Sequence, residues 1–176
     1  MMRRVFAAVF LCLALVTAAF IFCRSAQNGT ASSGESDRVT QAVAPVVVPS
    51  YPAQTETQKQ ETVGRLGEKV RSFAHALEFS ALGFCLSAAL WLWPPYPLCR
   101  PLVFLASFPA SVLYALIDEI HQLFVPGRAF EWKDVGLDAL GAAAGCLLCV
   151  ALFALAGTVG RLRSGSGKDR RRGKEN

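Results

Sequence analysis

The chain has 176 residues, 53% of them hydrophobic, and a formal net charge of +5; its mean hydropathy is +0.37. That length suits one ordinary domain, but the apolar excess excludes a soluble one. Charge gathers at the two ends and in one early polar stretch. What remains is four apolar runs, Val5–Phe22, Phe73–Trp93, Leu102–Phe124 and Val135–Gly157, each near the roughly 20 residues that cross a bilayer as a helix. The sequence predicts an all-α polytopic membrane protein, a four-transmembrane-helix bundle.

Residues 1–23 form the first span. Arg3 and Arg4 precede it as the basic region of a secretory signal would, but the run is too long for most signal cores and no convincing small-x-small cleavage site follows, so it reads as an uncleaved helix, with cleavage the minority reading. Residues 24–72 are rich in Ser, Thr, Gln and Gly, with a PVVVP insert at Pro45–Pro49. No sustained periodicity demands a packed core there, and the reading is a polar, irregular and partly disordered loop. Val63, Leu66, Val70, Phe73 and Leu77 recur at helical intervals, so the second helix is expected to begin outside the membrane, weakened by Gly64 and Gly67. Residues 73–157 form a three-helix core. Its third span carries Pro109, a potential kink, and its last span carries Gly141-Ala-Ala-Ala-Gly145, a GxxxG stretch read mainly as intramolecular packing, with oligomerisation as the other use. Residues 158–176 are a basic tail.

Cysteines add little. Cys12, Cys85, Cys146 and Cys149 lie in apolar runs, where a thiol behaves as a small hydrophobe. The lone CxxC at Cys146 and Cys149 has no second pair and no nearby histidine to complete a zinc site, so no metal is assigned. The tail RLRSGSGKDRRRGKEN is read as cytoplasmic retention plus attraction to anionic lipid, not as a nucleic-acid arm.

Lys and Arg are retained on the cytoplasmic side. The side shared by the two termini carries ten of them and the other eight; the dense tail decides for cytoplasmic termini in a multi-pass protein of the plasma (cytoplasmic) membrane. Trp91, Trp93 and Tyr96 then mark the inner interface and Trp132 the outer one. Threading the chain this way brings Arg71, His75 and Glu78, at i, i+4 and i+7, to the outer bilayer face. Asp118, Glu119, His121 and Gln122 end the third span on that face, followed by Arg128, Glu131 and Asp134, and then Asp138 opens the fourth. Ionisable groups at membrane depth cost about 2.5–3.5 kcal/mol each, so several of them on neighbouring helices imply a shared cavity rather than interface solvation. Glu131 and Lys133 suit the interface alone.

Three stretches carry a resemblance: FIFCRSAQNGTASSGES, VRSFAHALEFSALGF and LYALIDEIHQLFVPGRAFEWKDVGLDALGAAAG. Together they resemble the VanZ-like membrane protein family from Val5 to Gly157, apart from the middle of the first loop. The resemblance implies functional weight at Ser25 and Gln27, His75 and Glu78, and Asp118, Glu119, Gln122, Arg128 and Asp134. Departures are Ser72 where the family often has Lys, Phe79 where Tyr is common, and Asp138 where Asn is usual. It also implies a link to resistance against teicoplanin, a glycopeptide acting at the cell surface.

Two functions follow. The first is a non-enzymatic cell-envelope component whose outer cavity binds a membrane lipid, a cell-wall precursor or the glycopeptide. The second is a membrane enzyme using His75 or His121 with Glu78, Asp118 or Glu119 as acid and base, around a divalent metal in one version. No GxSxG, HExxH or glycine-rich phosphate loop is present.

Overall fold

The structure of the protein, a computed structural model, describes residues 1–93 and 99–172. Among the described residues the regular structure is helical: α1 (Met2–Ser25), α2 (Gly29–Val47), a 3-10 turn at Tyr51–Ala53, α3 (Glu56–Leu92), α4 (Arg100–Gln122) and α5 (Trp132–Arg172). Four helices are long and apolar enough to cross a membrane, over Met2–Ser25, Glu56–Leu92, Pro101–Gln122 and Trp132–Thr158. Leu105, Leu113, Ile117, Leu140, Leu147 and Leu155 all face outward and exposed, the arrangement expected where the solvent is hydrocarbon.

Side-chain contacts fix the helix directions. At one end Arg3 donates to the Trp91 carbonyl at 3.2 Å, and Trp91 stacks on Phe153 with ring centroids 5.5 Å apart. At the other, Ser25 meets His75 at 3.1 Å and His75 meets Asp138 at 3.0 Å. Midway, Ser87 and Ser107 share a hydrogen bond of 2.7 Å. Hence α1 and α4 run one way, α3 and α5 the other. Ala14, Ile21, Phe79, Leu82, Ala115 and Ala142 form the apolar core between them.

The most extensive pairing is α3 with α5, and glycine makes it possible. A methyl group at Gly141 would lie 2.0 Å from the Ala76 carbonyl oxygen, one at Gly145 1.9 Å from that of Ser80, and one at Gly83 2.6 Å from that of Ala142. No side chain fits there. The GxxxG stretch is therefore spent inside the molecule, as small-residue seams between membrane helices commonly are.

The polar segment differs from the irregular loop expected for residues 24–72. α2 occupies Gly29–Val47, and α3 runs unbroken from Glu56, starting well before the apolar run as expected. A capping box starts α3: the Gln58 amide donates to Thr55 Oγ1 at 3.4 Å and the Thr55 amide to Gln58 Oε1 at 2.9 Å. α2 buries Ser32, Ser36, Thr40 and Ala44, a stripe of period four made of small polar residues, which an apolar-periodicity reading passes over. Gly64 leaves open space, whereas Gly67 admits Asp37, whose carboxylate would stand 2.7 Å from an added methyl. The last helix also continues past Gly157 into the basic tail, to Arg172. Trp93 and Trp132 are exposed at opposite ends of the bundle; Tyr96 lies outside the described residues.

Candidate functional site

α1 stops at Ser25 and α2 starts at Gly29, which docks on the loop after α4. The Gly29 amide donates to the Pro126 carbonyl at 3.0 Å, and a methyl at Gly29 would stand 2.2 Å from the Gly127 carbonyl oxygen. Gly127 itself has φ of 76°, in the left-handed region that glycine enters without a Cβ penalty. This tight turn aims Arg128 back across the end of the bundle.

Four helices meet below it. Ser25, from α1 and 1% exposed, donates to Asp118 Oδ2 of α4 at 2.7 Å. The same hydroxyl lies 3.1 Å from His75 Nε2 of α3, and His75 Nδ1 lies 3.0 Å from Asp138 Oδ2 of α5. Gln122 donates to Asp118 Oδ2 at 3.3 Å. The Ser25 hydroxyl has one proton and cannot donate to both neighbours. With that proton on Asp118, both ring nitrogens donate and His75 is an imidazolium between Ser25 and Asp138. With it turned to Nε2, the imidazole is neutral and donates only to Asp138, and the Ser25–Asp118 hydrogen bond is given up.

Arg128 Nη1 donates to Gln122 Oε1 at 3.3 Å and Nη2 to Ser32 Oγ at 2.9 Å, while its Nε is buried without a hydrogen-bond partner among the described residues. Burial first, and the nearby Arg71 charge second, lower the Arg128 pKa from its usual value, opposed by Glu119 and Asp118. Arg71 reaches Ser33 at 3.4 Å. Both arginines border a vestibule of about 860 Å³ between α2, the N-terminal half of α3 and the α4–α5 loop. Arg71, Gln122, Arg128 and Asp134 also line a smaller chamber of about 20 Å³ that Ser72, His75, Glu119 and Asp138 complete. Such a chamber has room for a single water.

The remaining expected residues divide. Glu119, 1% exposed, accepts the Glu131 amide at 2.8 Å and so ties α4 to the start of α5. Asp134 accepts from Ser72 at 3.1 Å. Glu78 is half-buried, has no hydrogen-bond partner for Oε2 among the described residues, and lies in electrostatic reach of His75 and Arg24. His121 stands apart from these residues: it stacks on Phe22 with ring centroids 4.4 Å apart. The buried Gln27 Oε1 also has no partner among the described residues.

Residue-level reading of the sequence missed Ser32, Ser33 and Ser72, and it reached Ser25 through the resemblance alone. Serines of this kind carry no charge signal; for Ser32 the period-four stripe of α2 was the available clue. Among the described residues no group of three or more His, Cys, Asp and Glu side chains is arranged to hold a metal ion. No curated protein and no solved structure matches the chain. A family model described as VanZ/LLP1 matches residues 10–154, which include all four spans in whole or in part and every side chain of the polar cluster; the chain belongs to the VanZ/LLP1 family of membrane proteins.

Proposed function

We propose that this protein is a cell-envelope component of the cytoplasmic membrane whose vestibule faces outward and binds the anionic headgroup of an amphiphile, a lipid or a lipid-linked cell-wall precursor. The observation that supports this reading is the pair of arginines, Arg71 and Arg128, in a lining that also holds the carboxylates Asp37, Glu68, Glu131 and Asp134. Arg128 is partly buried near Arg71, and its Nε has no hydrogen-bond partner among the described residues. Like charges held together out of bulk water gain most from an anion that takes both, because charge-assisted hydrogen bonds replace lost solvation. The glycopeptide-resistance link implied by the family fits a site that retains surface-exposed precursor.

The test is lipid retention by the purified chain. Native mass spectrometry from mixed vesicles should show an anionic phospholipid or lipid-linked precursor carried by the wild type and reduced about tenfold in Arg128→Gln, the equivalent of about 1.4 kcal/mol. Arg71→Gln should weaken retention in the same direction. Equal retention by wild type and both variants would remove the arginines from the reading. In cells, the Arg128→Gln chain should lose any teicoplanin tolerance conferred by the wild type at equal membrane abundance.

A further inference from the structure

The serine at the foot of α1 has more partners than a packing role needs. A buried structural hydroxyl requires one acceptor. Ser25 Oγ has Asp118 Oδ2 at 2.7 Å and His75 Nε2 at 3.1 Å, and each of those is itself held, Asp118 by Gln122 and His75 by Asp138. Nucleophile, base and a group that orients the base stand in hydrogen-bond sequence on three different helices. Once the serine proton turns from Asp118 to His75 Nε2, this is the arrangement that activates a hydroxyl, and it is recognised by geometry and roles rather than by chain order.

From this geometry we infer that the site performs acyl transfer on a carboxylic ester of a membrane amphiphile, with Ser25 as nucleophile, His75 as general base and then acid, and Asp138 as the residue that positions the imidazole. The substrate class follows from placement: Ser25 is the last residue of an apolar span, the level at which the hydrocarbon core gives way to the headgroup region. In the first half, with His75 neutral and the Ser25 proton turned from Asp118 to Nε2, the Ser25 oxygen bonds the ester carbonyl carbon, that proton passes to His75 Nε2, and the C–O bond to the leaving alcohol breaks as His75 returns the proton to the alcohol oxygen. In the second half, water or an acceptor hydroxyl attacks the acyl-serine, its proton passes through His75 to Ser25, and a free acid or a new ester leaves. No oxidant, reductant or further reactant is needed.

The inference rests on the vestibule reading for delivery of the substrate, because Ser25 is buried. Gln122 links the two places: it donates to Asp118, the partner of Ser25, and accepts from Arg128, so a headgroup that draws Arg128 to itself acts on the hydrogen bonds around the serine.

The experiment uses the full chain in vesicles of phosphatidylethanolamine and phosphatidylglycerol, read by intact-protein mass and by lyso-lipid formation. The expected result is lyso-lipid from the wild type and a fatty-acyl adduct mapped to residue 25. Ser25→Cys, which keeps the side-chain size, should accumulate a thioester that hydroxylamine removes, and Ser25→Ala should lose both signals. Asp138→Asn keeps a hydrogen bond to His75 but enforces the wrong tautomer. It should lower turnover by about a thousandfold or more and change the pH profile, with lipid retention unchanged. No adduct on wild type or Ser25→Cys, and no lyso-lipid above the Ser25→Ala background, in protein that still retains lipid through Arg128, would overturn this inference and leave the binding reading standing. Absence of both adduct and retention would overturn the two together.

Discussion

Glu119 illustrates how a buried acid can be structural while its neighbour carries chemistry. Its carboxylate takes the Glu131 amide at 2.8 Å, a donor just before α5 that the helix cannot satisfy itself. Glu119→Gln keeps an acceptor and should leave thermal stability in detergent within about 0.5 kcal/mol of wild type. Glu119→Ala strands that amide and should cost about 1–3 kcal/mol, with hydrogen exchange accelerated at Glu131 first; equal exchange in the two variants would contradict the assignment. Asp118, one residue earlier, points to Ser25 instead. Adjacent helical residues face about 100° apart, so the Asp-Glu pair serves two partners on two sides. That division was legible in the sequence only as far as depth and face: His75, Asp118, Gln122 and Arg128 were placed at one end, and the family resemblance, not helical spacing, gave His75 weight over His121. His121 is stacked on Phe22, a contact between α1 and α4 that helical spacing within α4 cannot reveal.

Among the elements, the α3–α5 pair carries the strictest demand on sequence. Gly145→Ala would drive a methyl into the Ser80 carbonyl oxygen from 1.9 Å, so backbone must separate. The variant should lose folded protein in the membrane or unfold many degrees earlier. Gly136 sits on the same helix with nothing near an added methyl, and Gly136→Ala should be neutral or stabilising by up to about 1 kcal/mol through helix propensity. If both variants behave alike, close packing is not what the seam provides. The membrane helices and this seam were readable because apolar length and small-residue spacing report them directly. α2 was not, since a stripe of Ser32, Ser36, Thr40 and Ala44 has helical period without hydrophobicity. Its support comes from packing on α3, which no local pattern contains.

For the molecule as a whole, two native thiols report orientation. Cys23 and Cys99 are free and exposed, near the end of α1 and just before α4, and so at opposite ends of the bundle. With cytoplasmic termini, a membrane-impermeant maleimide should label a chain retaining only Cys23 in intact cells, and one retaining only Cys99 after permeabilisation. The reverse pattern would turn the polar cluster inward. The 37-residue α3 gives that orientation a mechanical meaning. At 1.5 Å per residue it is a rod about 55 Å long, well beyond the roughly 30 Å hydrocarbon core, with α2 strapped to its outer half and the glycine seam clamping its inner half. Between the seam and the outer end there is no loop to absorb a push, and His75 lies just outside the clamp. The imidazole is thus carried on the same continuous helix as the vestibule residues Gly64, Gly67, Glu68 and Arg71, one residue from the seam contact at Ala76.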